Sequence, residues 1–88
     1  MADHLKSART SYDRPADTFY FDFSKKKPWR YEEDSEGLVW RFDTHGKPVG
    51  VTVQAYARLW AARRQALAAR IAAPLHLDPG AVARRLPA

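Results

Sequence analysis

The chain contains no cysteine. That absence excludes a disulfide scaffold, a thiol nucleophile and a thiolate zinc site. It also has no apolar run near the roughly 20 residues that a membrane-spanning helix requires. The opening Met1-Ala2-Asp3-His4-Leu5-Lys6 lacks the apolar stretch of a secretory signal. These features lead us to expect a soluble cytoplasmic protein with no membrane partner. Glycine is sparse, and Gly37, Gly46 and Gly50 do not form a phosphate-cradling loop. Acidic residues are nearly missing from the second half: residues 55–88 hold six arginines and one acid, Asp78. With 88 residues, the chain is long enough for one small domain, which buries about 60–65% of its unfolded surface.

The remainder is ordinary globular material, 45% hydrophobic and 28% charged. Residues 1–54 balance nine basic residues with nine acids, so the whole net charge of +5 lies in residues 55–88. A basic half suits nucleic acid or an acidic protein partner. The same half is rich in Ala as well as Arg, a bias that GC-rich coding also produces.

Residues 1–8 show no periodicity and read as a flexible arm. A first short strand closes at Tyr12-Asp13, and Arg14-Pro15-Ala16-Asp17 reads as a tight turn. Residues 17–23 alternate, with Phe19, Phe21 and Phe23 on one face and Thr18, Tyr20 and Asp22 on the other. The polar loop Ser24-Lys25-Lys26-Lys27-Pro28 leads to a strand over 29–34 that has Trp29 and Tyr31 on one face. In the next strand Leu38, Trp40 and Phe42 share a face. Asp43-Thr44-His45-Gly46 suits a type I turn closed by a left-handed glycine. A fifth strand, 48–54, points Val49, Val51 and Val53 one way. The short connections suggest an antiparallel meander.

At Ala55 the period changes from two to 3.6. Residues 55–73 contain neither Gly nor Pro, and Tyr56, Trp60, Leu67 and Ile71 form one apolar stripe that can cover the sheet. Pro74 ends this helix. A short helix follows, with Asp78 as N-cap, Pro79 in its first turn, Leu77 stapled onto Val82, and Arg84 and Arg85 near its end. The expected fold is α+β. Residues 9–73 form a five-stranded antiparallel meander with a long helix on one face, and residues 74–88 form a short helical extension.

From Thr10 to Ala57 the chain resembles a small bacterial and archaeal family, the domain-of-unknown-function family numbered 2283. The resemblance rests on Tyr12, Asp13, Ala16, Asp17, Phe19 and Tyr20, then Gly37, Leu38 and Val39, then Asp43, Gly46, Pro48, Val49, Gly50 and Val51. It departs at Thr52 and at Tyr56-Ala57, where the family often has Glu and Ala-Ser, and it leaves 58–88 uncovered. The family implies no particular reaction. Some members look like small partners encoded beside toxins, so the resemblance implies an antitoxin-like role.

Catalytic and metal chemistry find little to work with. His4, His45 and His76 are scattered, and Asp13, Asp17 and Asp22 read better as turn and strand residues than as a carboxylate cluster. We expect no catalytic residue, no metal site and no cofactor. Two binding patterns stand out. Leu59, Ala62, Ala66, Ala69 and Ala73 repeat at helical spacing, set off from the apolar stripe, as a row of mostly small residues that another helix could approach. Its partner would be the 79–86 helix, a second copy or a different protein. Arg63, Arg64, Arg70, Arg84 and Arg85 are candidate nucleic-acid contacts. A weaker nucleic-acid surface is the sheet face away from the helix, with Tyr12 and Tyr20 for stacking and Arg30 and Arg41 for phosphate. The expected function is a non-catalytic, oligomeric protein-interaction module. The alternative is a nucleic-acid-binding accessory protein.

Overall fold

The structure is a computed structural model that describes residues 8–87. All of the expected 1–8 arm except Ala8, and His4 with it, lies outside the described residues. Five strands form one antiparallel sheet: β1 (Arg9–Asp13), β2 (Thr18–Asp22), β3 (Arg30–Glu33), β4 (Leu38–Phe42) and β5 (Pro48–Gln54). A helical segment follows, made of a wide π-type turn over Tyr56–Trp60, a tight turn over Ala61–Arg63 and the α-helix α1 (Arg64–Ala72). The short helix α2 (Pro79–Ala83) lies beyond it. The fold is α+β, as expected.

The strand order is β1-β2-β5-β4-β3, which corrects the expected meander. The reason lies in strand chemistry. A meander would put β3 at the centre, where both faces and both edges are covered, yet β3 reads Arg-Tyr-Glu-Glu and all four residues are exposed. The order found places β3 at an edge, where charge is tolerated and blocks pairing with other chains. It gives the centre to β5, which lies between the apolar strands β2 and β4. The loop 23–29 must therefore pass two strands. Three strand spacings are about 14 Å, within the roughly 23 Å that seven extended residues can reach. The loop is tied down where it passes: Phe23 N donates to Val49 O at 2.8 Å, and Trp29 N to Phe42 O at 2.6 Å.

Register decides which side chains share a face. Phe19 pairs with Val53, Phe21 with Val51, and Val51 also with Trp40. Together with Leu38 they form the inner face under the helices, and all five of Phe19, Phe21, Val51, Val53 and Leu38 are essentially inaccessible. Trp40 is only 7% exposed. From the helical side Tyr56, Trp60, Leu67 and Ile71 complete this core, as the sequence stripe implies. Val82, Ala83 and Leu86 join the same core, so the described part of the C-terminal extension is packed into the domain.

The pairings also correct two face assignments. Tyr12 pairs with Phe19 and Arg30 with Phe42, so both belong to the inner face. Trp29 and Tyr31, expected to share one face, are 72% and 61% exposed. In an edge strand exposed on both sides, alternation carries no burial signal, and a shift by one residue reverses every side chain.

The expected continuous helix over 55–73 is interrupted. Ala55 is left-handed at φ 54°, and Arg63, at φ −129° and ψ 41°, separates the early turns from α1. No Gly or Pro marks this break. The Arg63 guanidinium lies 4.4 Å from the Trp60 ring centroid, and its Nε reaches the Leu59 carbonyl at 3.4 Å. The start of the segment is capped from a distance. The Asp17 carboxylate accepts from Ala57 N at 2.8 Å and Arg58 N at 3.3 Å, and from Tyr12 Oη at 2.5 Å. These bonds, the Tyr12 hydroxyl first, hold the Asp17 carboxyl below its ordinary pKa, and the same bond raises the pKa of Tyr12. The expected cap of α2 is present, with Asp78 Oδ2 accepting from Ala81 N at 3.2 Å.

Candidate functional site

The two helices cover only part of the inner face. Five strands, each taking up ~4.8 Å, make a face about 24 Å wide, and two helices packed ~8–10 Å apart span about 16–20 Å, so two helices cover about four strands. The tail after α2 lies beside β1 and β2, where Arg85 and Pro87 share a cleft with Thr10, Tyr12 and Phe19. α1 lies beside β4. The inner face of β3, which carries Arg30 and Glu32, is left uncovered and exposed.

That shortfall creates an open groove of about 720 Å³ between α1 and β3. Ala66, Ala69, Ala73 and Pro74 form the helix wall, Trp40 and Phe42 the floor, and Glu32, Glu33 and Asp34 the strand wall. Every member of the alanine row (Ala62, Ala66, Ala69 and Ala73) is exposed, and Leu59 is 52% exposed. The structure thus brings Ala66, Ala69 and Ala73 together on one wall. Ala62 and Leu59 lie before the break at Arg63 and do not line the groove. α2 packs on a different side of α1, where Ala68 and Ala72 are buried in the same core as Val82 and Ala83.

The walls are held by specific contacts. Asp34 accepts from Glu36 N at 2.8 Å, Leu38 N at 3.0 Å and the Trp40 indole N–H at 3.0 Å, fixing both the 34–37 turn and the floor tryptophan. Burial opposes ionisation of Asp34, but these three donors outweigh it and hold its pKa below the usual carboxylate value. Arg70 on α1 pairs with Glu36 and ties the helix wall to that turn. Arg30 stacks over Phe42 at 4.7 Å and pairs with Glu32 at 3.0 Å.

The arginines expected to contact nucleic acid are dispersed. Arg64 Nη2 donates to the carbonyls of Ala83 at 3.0 Å and Leu86 at 3.2 Å, binding the end of α2. Arg70 belongs to the groove, Arg63 lies over Trp60, Arg84 is exposed, and Arg85 is half-buried beside β1. On the outer sheet face Arg41 is occupied too, donating to Thr52 Oγ1 at 2.7 Å and Asp22 Oδ1 at 2.6 Å. Its guanidinium lies so close over Gly50 that a Cβ there would fall 2.2 Å from Nη2. A side chain at position 50 would displace the Arg41 guanidinium from this place. Asp13 bonds within its turn to Ala16 N at 3.3 Å. His45 and His76 are exposed in turns. Among the described residues no three His, Cys, Asp or Glu are placed to hold a metal ion, and no helix is long and apolar enough to cross a membrane.

The sequence model of the family described as "Protein of unknown function (DUF2283)" matches residues 9–55. The chain belongs to the DUF2283 family. No curated protein and no solved structure matches it. The matched span covers the whole sheet and ends where the helical segment begins, so the helix wall of the groove lies outside it. Within the span, Tyr12 and Asp17 seat the helical segment, Gly50 admits Arg41, and Asp43 closes its turn by accepting from His45 N at 2.8 Å and Lys47 N at 3.0 Å. The family signature in this chain is therefore read here as structural. Sequence reasoning missed Trp40, Phe42, Glu32 and Glu33 as groove residues, because only the strand order brings them opposite the alanine row.

Proposed function

We propose that this chain is a cytoplasmic, non-catalytic protein-interaction module that binds its partner in the groove between α1 and β3. One observation carries the reading: Ala66, Ala69 and Ala73 stand exposed across an unfilled space from Trp40 and Phe42. Small side chains at this spacing let a second backbone element approach closely, and the floor offers it aromatic surface. The carboxylates with depressed pKa, Asp17, Asp34 and Asp43, are each engaged by N–H or O–H donors that build turns and caps, which suits scaffolding better than acid–base chemistry. An antitoxin-like chain, holding a second protein in this groove, is one form of the same reading.

The test is Ala66→Arg. It places a long charged side chain in the groove without entering the core. Association should be lost while the circular dichroism spectrum stays that of the folded chain. Binding that survives this change removes the groove from the account. The nucleic-acid alternative draws on the arginine excess of residues 55–88. A salt series separates the two, since phosphate binding weakens steeply with salt and apolar docking does not.

A further inference from the structure

We propose that the occupant of the groove is α1 of a second copy of this chain. The pairing is two-fold, with the basic helix wall of each copy lying against the acidic strand wall of the other. The inference rests on reading the groove as a protein-binding site, and it names the partner.

The walls carry opposite charge. Residues 61–74, which include α1, hold Arg63, Arg64 and Arg70 and no acid. Residues 30–36, which include β3, hold Glu32, Glu33, Asp34 and Glu36 against Arg30 alone. Arg64 turns toward α2. Arg63 is exposed over Trp60 at the break, outside the groove lining, and Arg70 is the helix-wall cation on the groove, where it pairs with Glu36. Glu32, paired with Arg30 at 3.0 Å, and Glu33 are exposed on the facing strand. Among the described residues of one copy, Arg70 and Glu36 bridge the walls at one corner, and the groove between them stays open.

An element that fills this space needs a narrow apolar ridge for the Trp40–Phe42 floor and cations for the Glu32–Glu33 wall. α1 and the residues that flank it have both: Ala66, Ala69 and Ala73 line the groove with Arg70, and Arg63 stands exposed just before α1. A surface that carries both the ridge and the slot it fits can pair with itself about a two-fold axis, burying the same patch on each copy. Each α1 then serves as the missing third helix over the partner's β3. Opposed charge fixes the pairing and disfavours an arrangement that sets like walls together.

Charge exchange between the walls tests this directly. Variant one, Glu32→Lys with Glu33→Lys, makes both walls basic. Variant two, Arg63→Glu with Arg70→Glu, makes both acidic. By sedimentation the wild type should be a dimer, and each variant alone should dimerise more weakly by on the order of tenfold or more. An equimolar mixture should recover a heterodimer, because every wall then meets its opposite. Circular dichroism checks that each variant is folded. Should variant two unfold through loss of the Arg70–Glu36 pair, Arg63→Glu alone, mixed with Glu33→Lys, makes the same comparison. Variants that dimerise as the wild type does, or a mixture that fails to recover, overturn the proposal.

A photo-crosslinking residue at Ala69 separates this proposal from the reading beneath it. A cross-link into residues 30–42 of a second copy supports the proposal. A monomeric wild type cross-linked to a different protein overturns the second copy and keeps the groove. A monomer that captures nothing ends both.

Discussion

Over β2 and β5 the inner sheet face carries Phe19, Phe21, Val51 and Val53, closed over by the helical segments, with half-buried Tyr12 of β1 packed at their margin. Over β3 the same face carries Arg30 and Glu32, with nothing above them among the described residues. The closed side hides Ala68 and Ala72 of α1; the open side exposes Ala66, Ala69 and Ala73 of the same helix. Alanine alone does not separate the two. What separates them is the strand beneath: an apolar strand draws a helix onto itself, and a charged edge strand does not. The difference makes one side of the domain a core and the other a surface that offers apolar atoms to a partner.

The sharpest way to break this comparison is at its boundary. Trp40 belongs to the core by burial and to the groove by position. Trp40→Ala should cost about 3–5 kcal/mol, most of the stability of so small a domain. Chemical denaturation measures it, and a cost near zero would move the boundary inward. Leu67→Ala, wholly on the closed side, should cost about 2–5 kcal/mol in the same assay.

Acid should then unfold the domain through turns and caps on both sides. Asp17, Asp34 and Asp43 all have pKa values lowered from the ordinary 3.8 in the folded chain. The causes, in order, are the Tyr12 hydroxyl for Asp17, donors that outweigh burial for Asp34, and the Lys47 amide for Asp43. A lowered carboxylate contributes stability that is complete above its unfolded pKa and lost as pH falls through the folded one. Melting temperature should therefore hold down to about pH 4 and drop below it. Asp17→Asn should flatten that drop. At the other end Tyr12, raised above 10.0 by Asp17, loses its contribution as pH rises through the folded value.

Much of this division was legible in the sequence, and the parts that were not have physical causes. The faces of β2, β4 and β5 could be read because burial imposes a strict alternation on Phe19/Phe21, Leu38/Trp40 and Val51/Val53. The faces of β3 could not, since neither is buried and its parity is set by pairing Glu32 with Trp40 across the 34–37 turn. The alanine row was visible as a pattern, but what it faces depends on β3 moving to the edge. The contrast of Arg-Tyr-Glu-Glu with its apolar neighbours was the available signal for that. The capping of the helical segment by Asp17, 40 residues from Ala57, left no local mark. The break at Arg63 left none either.

Smaller changes sharpen the contrast. Gly46 sits at φ 78°, closing the 43–46 turn as the sequence suggests, with its N–H on Asp43 O at 3.1 Å. Gly46→Ala should cost about 1 kcal/mol by thermal melting, since the left-handed conformation disfavours a Cβ there. The smallest effect on stability is expected on the open side. Ala66→Arg and Ala69→Arg should each stay within about 0.5 kcal/mol of the wild type, whereas Ala68→Arg, one position away and fully buried, should not fold.

The most direct measurement is an NMR dilution series on the wild-type protein. The account predicts that, as concentration rises, resonances of Ala66, Ala69, Ala73, Glu32, Glu33 and the Trp40 indole move together along one binding curve, while Ala68, Ala72, Val51 and Val53 stay still. Shifts that map instead to Tyr20 and Tyr31 on the outer sheet face, or no shift at any concentration reached, would contradict it.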